Sequence, residues 1–178
     1  MSGATKLMTS GGGGLLLTPA SNIASDVTVN IPSRAGNLAI DGPAFSAYST
    51  VGVSCANTTF TKQTYDVEVF DTNNNFASSR FTPTVAGYYQ INAGTVFGVV
   101  ASGICFIDIY KNGAEFARGS LTFFTSGINP SCVVSSVIYF NGSTDYVEIY
   151  VYQNSGGSLS TFGGQPFQYF NGCLVRSA

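Results

Sequence analysis

Few residues in this 178-residue chain are suited to acid–base chemistry. The sequence contains no histidine, the commonest general base, and only 9 Asp and Glu residues. Asp66 and Glu68 could act as the acid and base of a hydrolase that cleaves surface polysaccharide. Two residues apart on an alternating strand, however, such a pair is typical of a solvated face. We therefore predict no catalytic residues and a protein that is not an enzyme.

Two loop acids, Asp71 and Asp145, offer the hard oxygen ligands that calcium prefers, and asparagines stand close to both. The regular acidic spacing of a calcium-binding loop is absent from both segments. We keep Asp71 and Asp145 as calcium candidates and otherwise predict no metal and no cofactor.

The cysteines are widely spaced at positions 55, 105, 132 and 173, and no two form a C-x-x-C pair. In an oxidising compartment they could pair in three ways. The apolar run Leu15–Leu17 is too short for the core of a signal peptide, which favours synthesis in a cytoplasm. We therefore expect four free thiols that pack as small apolar side chains.

Charge is scarce, at 9% of residues, and the net charge is −2. A nucleic-acid partner would require clustered Lys and Arg, and the sequence has no such cluster. No apolar segment is long enough to cross a bilayer, so we predict no membrane insertion. Aromatic residues make up 13% of the chain and the mean hydropathy is +0.22. These values suggest that much of the surface is buried against other chains.

The segment from Arg80 to Phe97 organises the rest of the chain. Pro83 cannot donate to a central ladder, so the regular strand should begin after it, and Gly87 permits a sharp turn. Beyond this turn apolar and polar residues alternate with the period of a strand. One face is predicted to hold Tyr89, Ile91, Ala93, Thr95 and Phe97.

The spacing Phe-Thr-x-x-x-x-Gly-x-Tyr at 81–89 resembles the central motif of C1q/TNF-like globular domains. Further blocks match that family in the same order: Pro43–Ala47, Phe60–Asp71, Lys111–Gly113, Val133–Phe140, Tyr146–Tyr152 and Phe167–Val175. The resemblance implies an all-β fold, a two-sheet antiparallel jelly-roll sandwich, over residues 43–178. It also implies a longer turn than usual at 141–145, where the family's Gly-Asp-x-Val is spread out.

Residues 1–42 differ from the rest of the chain in composition and pattern. They are predicted to form an extended N-terminal arm with a short strand over 27–31. Gly11–Gly14, Val27–Pro32 and Gly36–Ala39 resemble a module of bacteriophage tail-fibre and virion proteins; the alternative is a disordered linker. The arm's apolar residues are the attachment candidates: Leu15, Leu16, Leu17, Val27, Val29 and Ile31.

The strand at 146–152 is apolar on both faces. Either its tyrosines or its aliphatic residues could pack on the second sheet, and the other face would then require a partner. The family resemblance implies a homotrimer. The interface candidates are Tyr146, Val147, Ile149, Tyr150 and Tyr152.

Together these features predict a bacteriophage virion protein, made in the host cytoplasm and located in the virion. Its arm would bind other virion proteins, and its head would contact a host-surface receptor or glycan, or neighbouring subunits. Both a tail-fibre tip and a capsid decoration fit. The alternative is a non-viral bacterial C1q-like binding module.

Overall fold

The structure is a computed structural model that describes residues 5–8, 14–17, 42–98, 102–125 and 127–178. All regular elements in these ranges are strands, and no helix occurs among them. This confirms the predicted all-β class. Backbone contacts divide the chain into two units, Met1–Gly36 and Asn37–Ala178.

The N-terminal unit contains an antiparallel pair, β1 (Thr5–Met8) and β2 (Gly14–Leu17). Leu15, Leu16 and Leu17 of the predicted attachment set therefore lie on β2. The predicted strand with Val27, Val29 and Ile31 lies outside the described residues.

The second unit holds the other strands. In chain order these are β3 (Ala44–Tyr48), β4 (Ser54–Cys55), β5 (Thr61–Lys62), β6 (Val67–Asp71), β7 (Phe76–Ala77), β8 (Arg80–Phe81), β9 (Gly87–Val96), β10 (Gly103–Lys111), β11 (Ala114–Phe124), β12 (Ser131–Phe140), β13 (Val147–Gln153), β14 (Leu159–Ser160) and β15 (Tyr169–Ser177).

Two antiparallel sheets form the sandwich. One is five-stranded, in the order β12-β9-β15-β3-β6. The other is six-stranded, in the order β11-β10-β13-β8-β7, with β5 also paired to β13. Successive long strands cross from one sheet to the other, because β9 and β10 lie in different sheets and so do β12 and β13. This is the predicted jelly roll.

The core lies between the sheets and is built from alternate residues of the long strands. Tyr89, Ile91, Ala93, Thr95 and Phe97 are all essentially inaccessible to solvent, which confirms that they share one face and shows that this face points inward.

An aromatic cluster fills one part of the core. The rings of Phe45 and Phe81 stack with centroids 4.2 Å apart, and Phe170 meets Phe45 edge-on at 4.8 Å. Such pairs add stability beyond the burial of their area.

The turns follow the local chemistry of the sequence. Asn112 and Gly113 both have positive φ, 53° and 82°, as the Asn-Gly hairpin between β10 and β11 requires. At the longer turn, the Asn141 side-chain oxygen accepts hydrogen bonds from the backbone N–H groups of Ser143, Thr144 and Asp145.

One expected strand is not continuous. The alternating segment Phe60–Asp71 divides into β5 and β6, which belong to different sheets. Between them the Tyr65 N–H donates to Ser79 Oγ at 2.8 Å instead of to a neighbouring strand. Tyr65 is buried in the core, whereas Val69 and Phe70 are both about half exposed, since β6 is an edge strand.

Candidate binding surfaces

The acidic pair at 66 and 68 is not arranged for catalysis. Asp66 is exposed and accepts hydrogen bonds from the backbone N–H and the hydroxyl of Thr50. These bonds lower the pKa of Asp66, so the carboxyl stays ionised and is a poor general acid. Glu68 is an exposed residue of edge strand β6. The arrangement suits a solvated strand edge.

The two calcium candidates lie on separate turns. Asp71 accepts hydrogen bonds from the backbone N–H groups of Asn73 and Phe76, at 3.3 and 2.6 Å. Asp145 pairs with Lys111 Nζ at 2.9 Å and accepts a hydrogen bond from the Asn112 side chain. These bonds lower the pKa of Asp145, the bond from Asn112 being the largest cause. Both carboxylates thus brace turns, and the described residues contain no cluster of three potential metal ligands.

Strand β13 presents its aliphatic residues to the core. Val147, Ile149 and Val151 are inaccessible to solvent in the single chain. This corrects the inclusion of Val147 and Ile149 among the interface candidates, because their side chains already pack against the other sheet. Of the two arrangements that the sequence left open, the one with the tyrosines outside is observed.

The outward tyrosines are partly covered by neighbours in the same chain. Tyr150 lies against Tyr110 with ring centroids 4.1 Å apart, and Tyr152 stacks on Phe106 at 4.6 Å. The guanidinium of Arg80 lies 3.8 Å above the ring of Tyr146. All three tyrosines are therefore half-buried, and the predicted excess of aromatic surface is smaller than the sequence suggested.

Ion pairs lie among these tyrosines on the outward side of the six-stranded sheet. Glu148, on β13, pairs with Lys62 Nζ at 2.6 Å and with Arg80 Nη2 at 2.8 Å. Burial opposes its charge, but the hydrogen bonds from both cations outweigh burial and lower the pKa of Glu148. Nearby, the buried Asp108 pairs with Arg118 at 3.2 Å. A surface that carries these charges is better suited to contact with water than to burial in a large apolar interface.

A more apolar surface lies on the other sheet. We call it the five-stranded face: the outward side chains of β12, β9 and the first part of β15, which are Tyr88, Gln90, Asn92, Val133, Ser135, Val137, Tyr139, Tyr169, Asn171 and Cys173. None of these is charged, and the exposed Arg176 lies opposite Tyr88 at one end of the surface. Val133, Val137 and Tyr139, all on β12, expose 49%, 53% and 43% of their surface. Exposed apolar side chains gathered on one surface in this way often mark an interaction site.

Amide and hydroxyl groups occupy the middle of the five-stranded face and bond to one another. Asn92 Nδ2 donates to Asn171 Oδ1 at 3.1 Å, and Ser135 Oγ donates to Asn92 Oδ1 at 2.9 Å. Gln90 Nε2 donates to Ser135 Oγ at 2.8 Å. Because these groups satisfy each other within the chain, burying them against a partner costs less than burying unpaired groups.

Sequence reasoning missed this surface, although a signal was present. The segment 131–140 contains no charged residue, and each of the two faces that its alternating residues form includes apolar side chains. Only the inward half, with Val134, Ile138 and Phe140, is used by the core.

Solved structures share this fold. The globular domain of zebrafish complement 1qA protein superposes with a TM-score of 0.57 at 16% identity, covering 78% of this chain and 100% of that chain. Murine APRIL at pH 5.0 gives a TM-score of 0.57 at 10% identity, with coverages of 76% and 100%. The vertex protein P5 of phage PRD1 gives 0.52 at 16% identity, with coverages of 75% and 97%.

These likenesses establish a C1q/TNF-like jelly-roll fold. No protein-family model matches the chain. No curated protein matches it by sequence either. The residues that the structure describes include no helix long and apolar enough to span a membrane.

Proposed function

We propose that this chain is a structural and binding protein of a bacteriophage virion, a homotrimer that displays its C1q-like head outward on the particle. The N-terminal arm, residues 1–42, attaches to other virion proteins, and the head, residues 43–178, contacts a host-surface molecule or neighbouring subunits. The role is binding, since Asp71 and Asp145 form hydrogen bonds within turns and Asp108 and Glu148 form ion pairs.

The five-stranded face, with its exposed apolar side chains, is the observation that carries the trimer. A monomer would leave Tyr88, Val133, Val137 and Tyr139 in water, each more than two-fifths exposed. Fully burying such a side chain is worth roughly 1.5–3 kcal/mol, and because these residues are already about half buried, each contributes roughly half as much. Repeated around an axis in three copies, contributions of this size are comparable to an association cost of roughly 4–15 kcal/mol.

The place in a virion is supported by two independent likenesses. The arm sequence resembles the N-terminal module of phage tail-fibre and virion proteins. The head has the fold of a phage vertex protein, although at 16% identity this similarity concerns the fold alone. A non-viral bacterial binding module is the second candidate, since the same fold also occurs in complement 1qA and APRIL.

The test is the composition of purified particles. Mass spectrometry of gradient-purified virions should find this chain at a multiple of three copies, and equilibrium sedimentation of the purified protein should give the mass of a trimer. A protein absent from virions but trimeric in solution would support the non-viral module instead. A stable monomer at micromolar concentration would contradict the assembly.

A further inference from the structure

A polar groove of about 470 Å³ lies beside the six-stranded sheet, where the turn before β7 meets the turn between β7 and β8. Its volume falls within the roughly 300–1,000 Å³ typical of pockets that hold small ligands. Lys62 and Arg80 lie on one side, and Asn74, Ser78, Thr82 and Thr84 supply amide and hydroxyl groups. We call this the Lys62–Arg80 groove.

The groove has an excess of positive charge. Lys62 and Arg80 both pair with the same oxygen of Glu148, so two cations face one carboxylate. The side chain of Glu148 is only 5% exposed, whereas those of Lys62 and Arg80 are 30% and 43% exposed. A ligand in the groove therefore meets the cations, while their common anion lies behind them.

Both cations are held in position with donors to spare. Lys62 Nζ carries three N–H groups and donates to Ser78 O at 3.0 Å and to Glu148 at 2.6 Å. Arg80 directs Nε and Nη2 at Glu148 and stacks over Tyr146. Among the hydrogen bonds with described residues, one N–H of Lys62 Nζ and both N–H groups of Arg80 Nη1 have no acceptor. A positioned cation with unused donors loses little freedom when it binds an anion.

The groove wall also holds the two-residue turn of the hairpin between β7 and β8. Ser78 and Ser79 have φ values of 52° and 57°, because such a turn requires positive φ at both central residues. The buried Ser79 hydroxyl accepts the Tyr65 N–H and so fixes the turn to the core. The Ser78 carbonyl accepts a hydrogen bond from Lys62 and helps to hold this cation in the groove.

We infer that the Lys62–Arg80 groove binds a sugar that carries a carboxylate. The carboxylate would accept hydrogen bonds from Arg80 Nη1 and Lys62, and one ligand charge balances the net charge of the two cations and Glu148. Asn74, Ser78 and Thr82 are suited to the sugar hydroxyls, whereas the Thr84 hydroxyl is already bonded to Asn75. The inference rests on the proposed function, because it names the class of surface molecule that the displayed head contacts.

The experiment is a titration of the full-length protein with trigalacturonate, followed by saturation-transfer NMR. The matched ligand is the same trisaccharide with its carboxylates methyl-esterified, which keeps the hydroxyls and removes the charge. We expect the acid to bind and the ester to bind at least about tenfold more weakly. Raising the salt concentration should weaken binding of the acid, because the cations are partly exposed.

Variants locate the site. Arg80→Gln and Lys62→Gln should each weaken binding about tenfold. Arg118→Gln should leave binding unchanged, since this arginine pairs with Asp108 on the same sheet and does not line the groove. Thermal unfolding of each variant identifies any that does not fold.

Three results would overturn the inference: no binding of trigalacturonate by the wild type, equal binding of acid and ester, or equal losses in Arg80→Gln and Arg118→Gln. Tighter binding of galactose 6-phosphate than of galacturonate would overturn the assignment to a carboxylate. The proposed function is read separately, from virion composition and trimer mass. Particles that contain the trimer but do not bind the sugar would reject the groove and leave the virion role intact.

Discussion

The thiols of Cys105 and Cys132 lie 3.2 Å apart in the core and connect the two sheets, with Cys105 on β10 and Cys132 on β12. The hydrogen bond with Cys132, followed by burial, raises the pKa of the Cys105 thiol. Burial likewise raises the pKa of Cys55 to about 11. The bond with Cys105 lowers the pKa of Cys132, but this thiol is equally closed to solvent. Thiols without access to solvent react slowly, and the raised pKa values of Cys55 and Cys105 slow them further, because the thiolate is the reactive form.

We therefore expect at most one thiol per chain to react with a thiol reagent in the native protein, and that thiol is Cys173, which is exposed. All four should react after denaturation without reductant. Cys173 lies on the five-stranded face, so its reaction should slow at concentrations where the trimer forms. Cys173→Ser, as the control, should leave no reactive thiol in the native state. A Cys105–Cys132 disulfide found by mass spectrometry would contradict the expectation of free thiols.

The sequence was most informative where strands alternate strictly. β9 and β13 both show the predicted grouping of alternate residues on one face, and in each the predicted group that faces inward consists of apolar side chains or a threonine. Alternation misled over Phe60–Asp71, because the same period continues through a break at which the chain changes sheets.

The candidate sites depend on contacts that local patterns do not contain. Lys62 and Glu148 are 86 residues apart in sequence and Arg80 and Glu148 are 68 apart, yet all three meet at one carboxylate oxygen. Which face of β13 points inward also depends on the opposite sheet. The sequence of β13 alone therefore did not decide whether its tyrosines or its aliphatic residues face the core.

Glu148 should make stability depend on pH. Its pKa is lower in the folded state, so its ionised form stabilises the fold above the ordinary value of 4.5, and this contribution is lost as the pH falls through the folded-state pKa. Glu148→Gln should therefore cost about 1–2 kcal/mol at pH 7. The difference from wild type should shrink at pH 3, as measured by urea unfolding.

Asp108→Asn is the matched control on the neighbouring strand β10. Burial raises the pKa of Asp108 more than Arg118 lowers it, so its charge is less favourable in the folded state than in the unfolded state. This substitution should cost less at pH 7 than Glu148→Gln, and wild-type Asp108 should contribute less stability as the pH rises. Equal losses at pH 7 and pH 3 for Glu148→Gln would contradict the assigned charge effect.

The arm and the head should separate cleanly. A chain that begins at Asp41 should remain folded and trimeric, because the aromatic core and the five-stranded face lie entirely in the second unit. The truncated chain should fail to join particles when it replaces the full-length protein. Far-UV circular dichroism and sedimentation check the first outcome, and virion composition checks the second. Normal incorporation would place attachment in the head.

A charge placed on each sheet tells the two candidate trimer surfaces apart. Val137 lies on the five-stranded face, 53% exposed and opposite Gln90. In the proposed trimer, Val137→Asp buries a carboxylate near copies of itself without a counter-ion, and association should weaken about a hundredfold or more. Tyr150→Lys puts a charge on the other sheet, where Asp108 and Lys62 are its neighbours across the strands, and should leave the trimer intact.

Asn74→Asp serves as the neutral control for association, because Asn74 is an exposed turn residue whose φ of 54° Asp also tolerates. Sedimentation equilibrium of the three variants at matched concentrations gives the comparison, with circular dichroism to confirm that each is folded. The opposite pattern, a trimeric Val137→Asp and a monomeric Tyr150→Lys, would move the interface to Tyr146, Tyr150 and Tyr152. That result would mean that the half-buried tyrosines complete their burial against another chain, whereas the five-stranded face tolerates water.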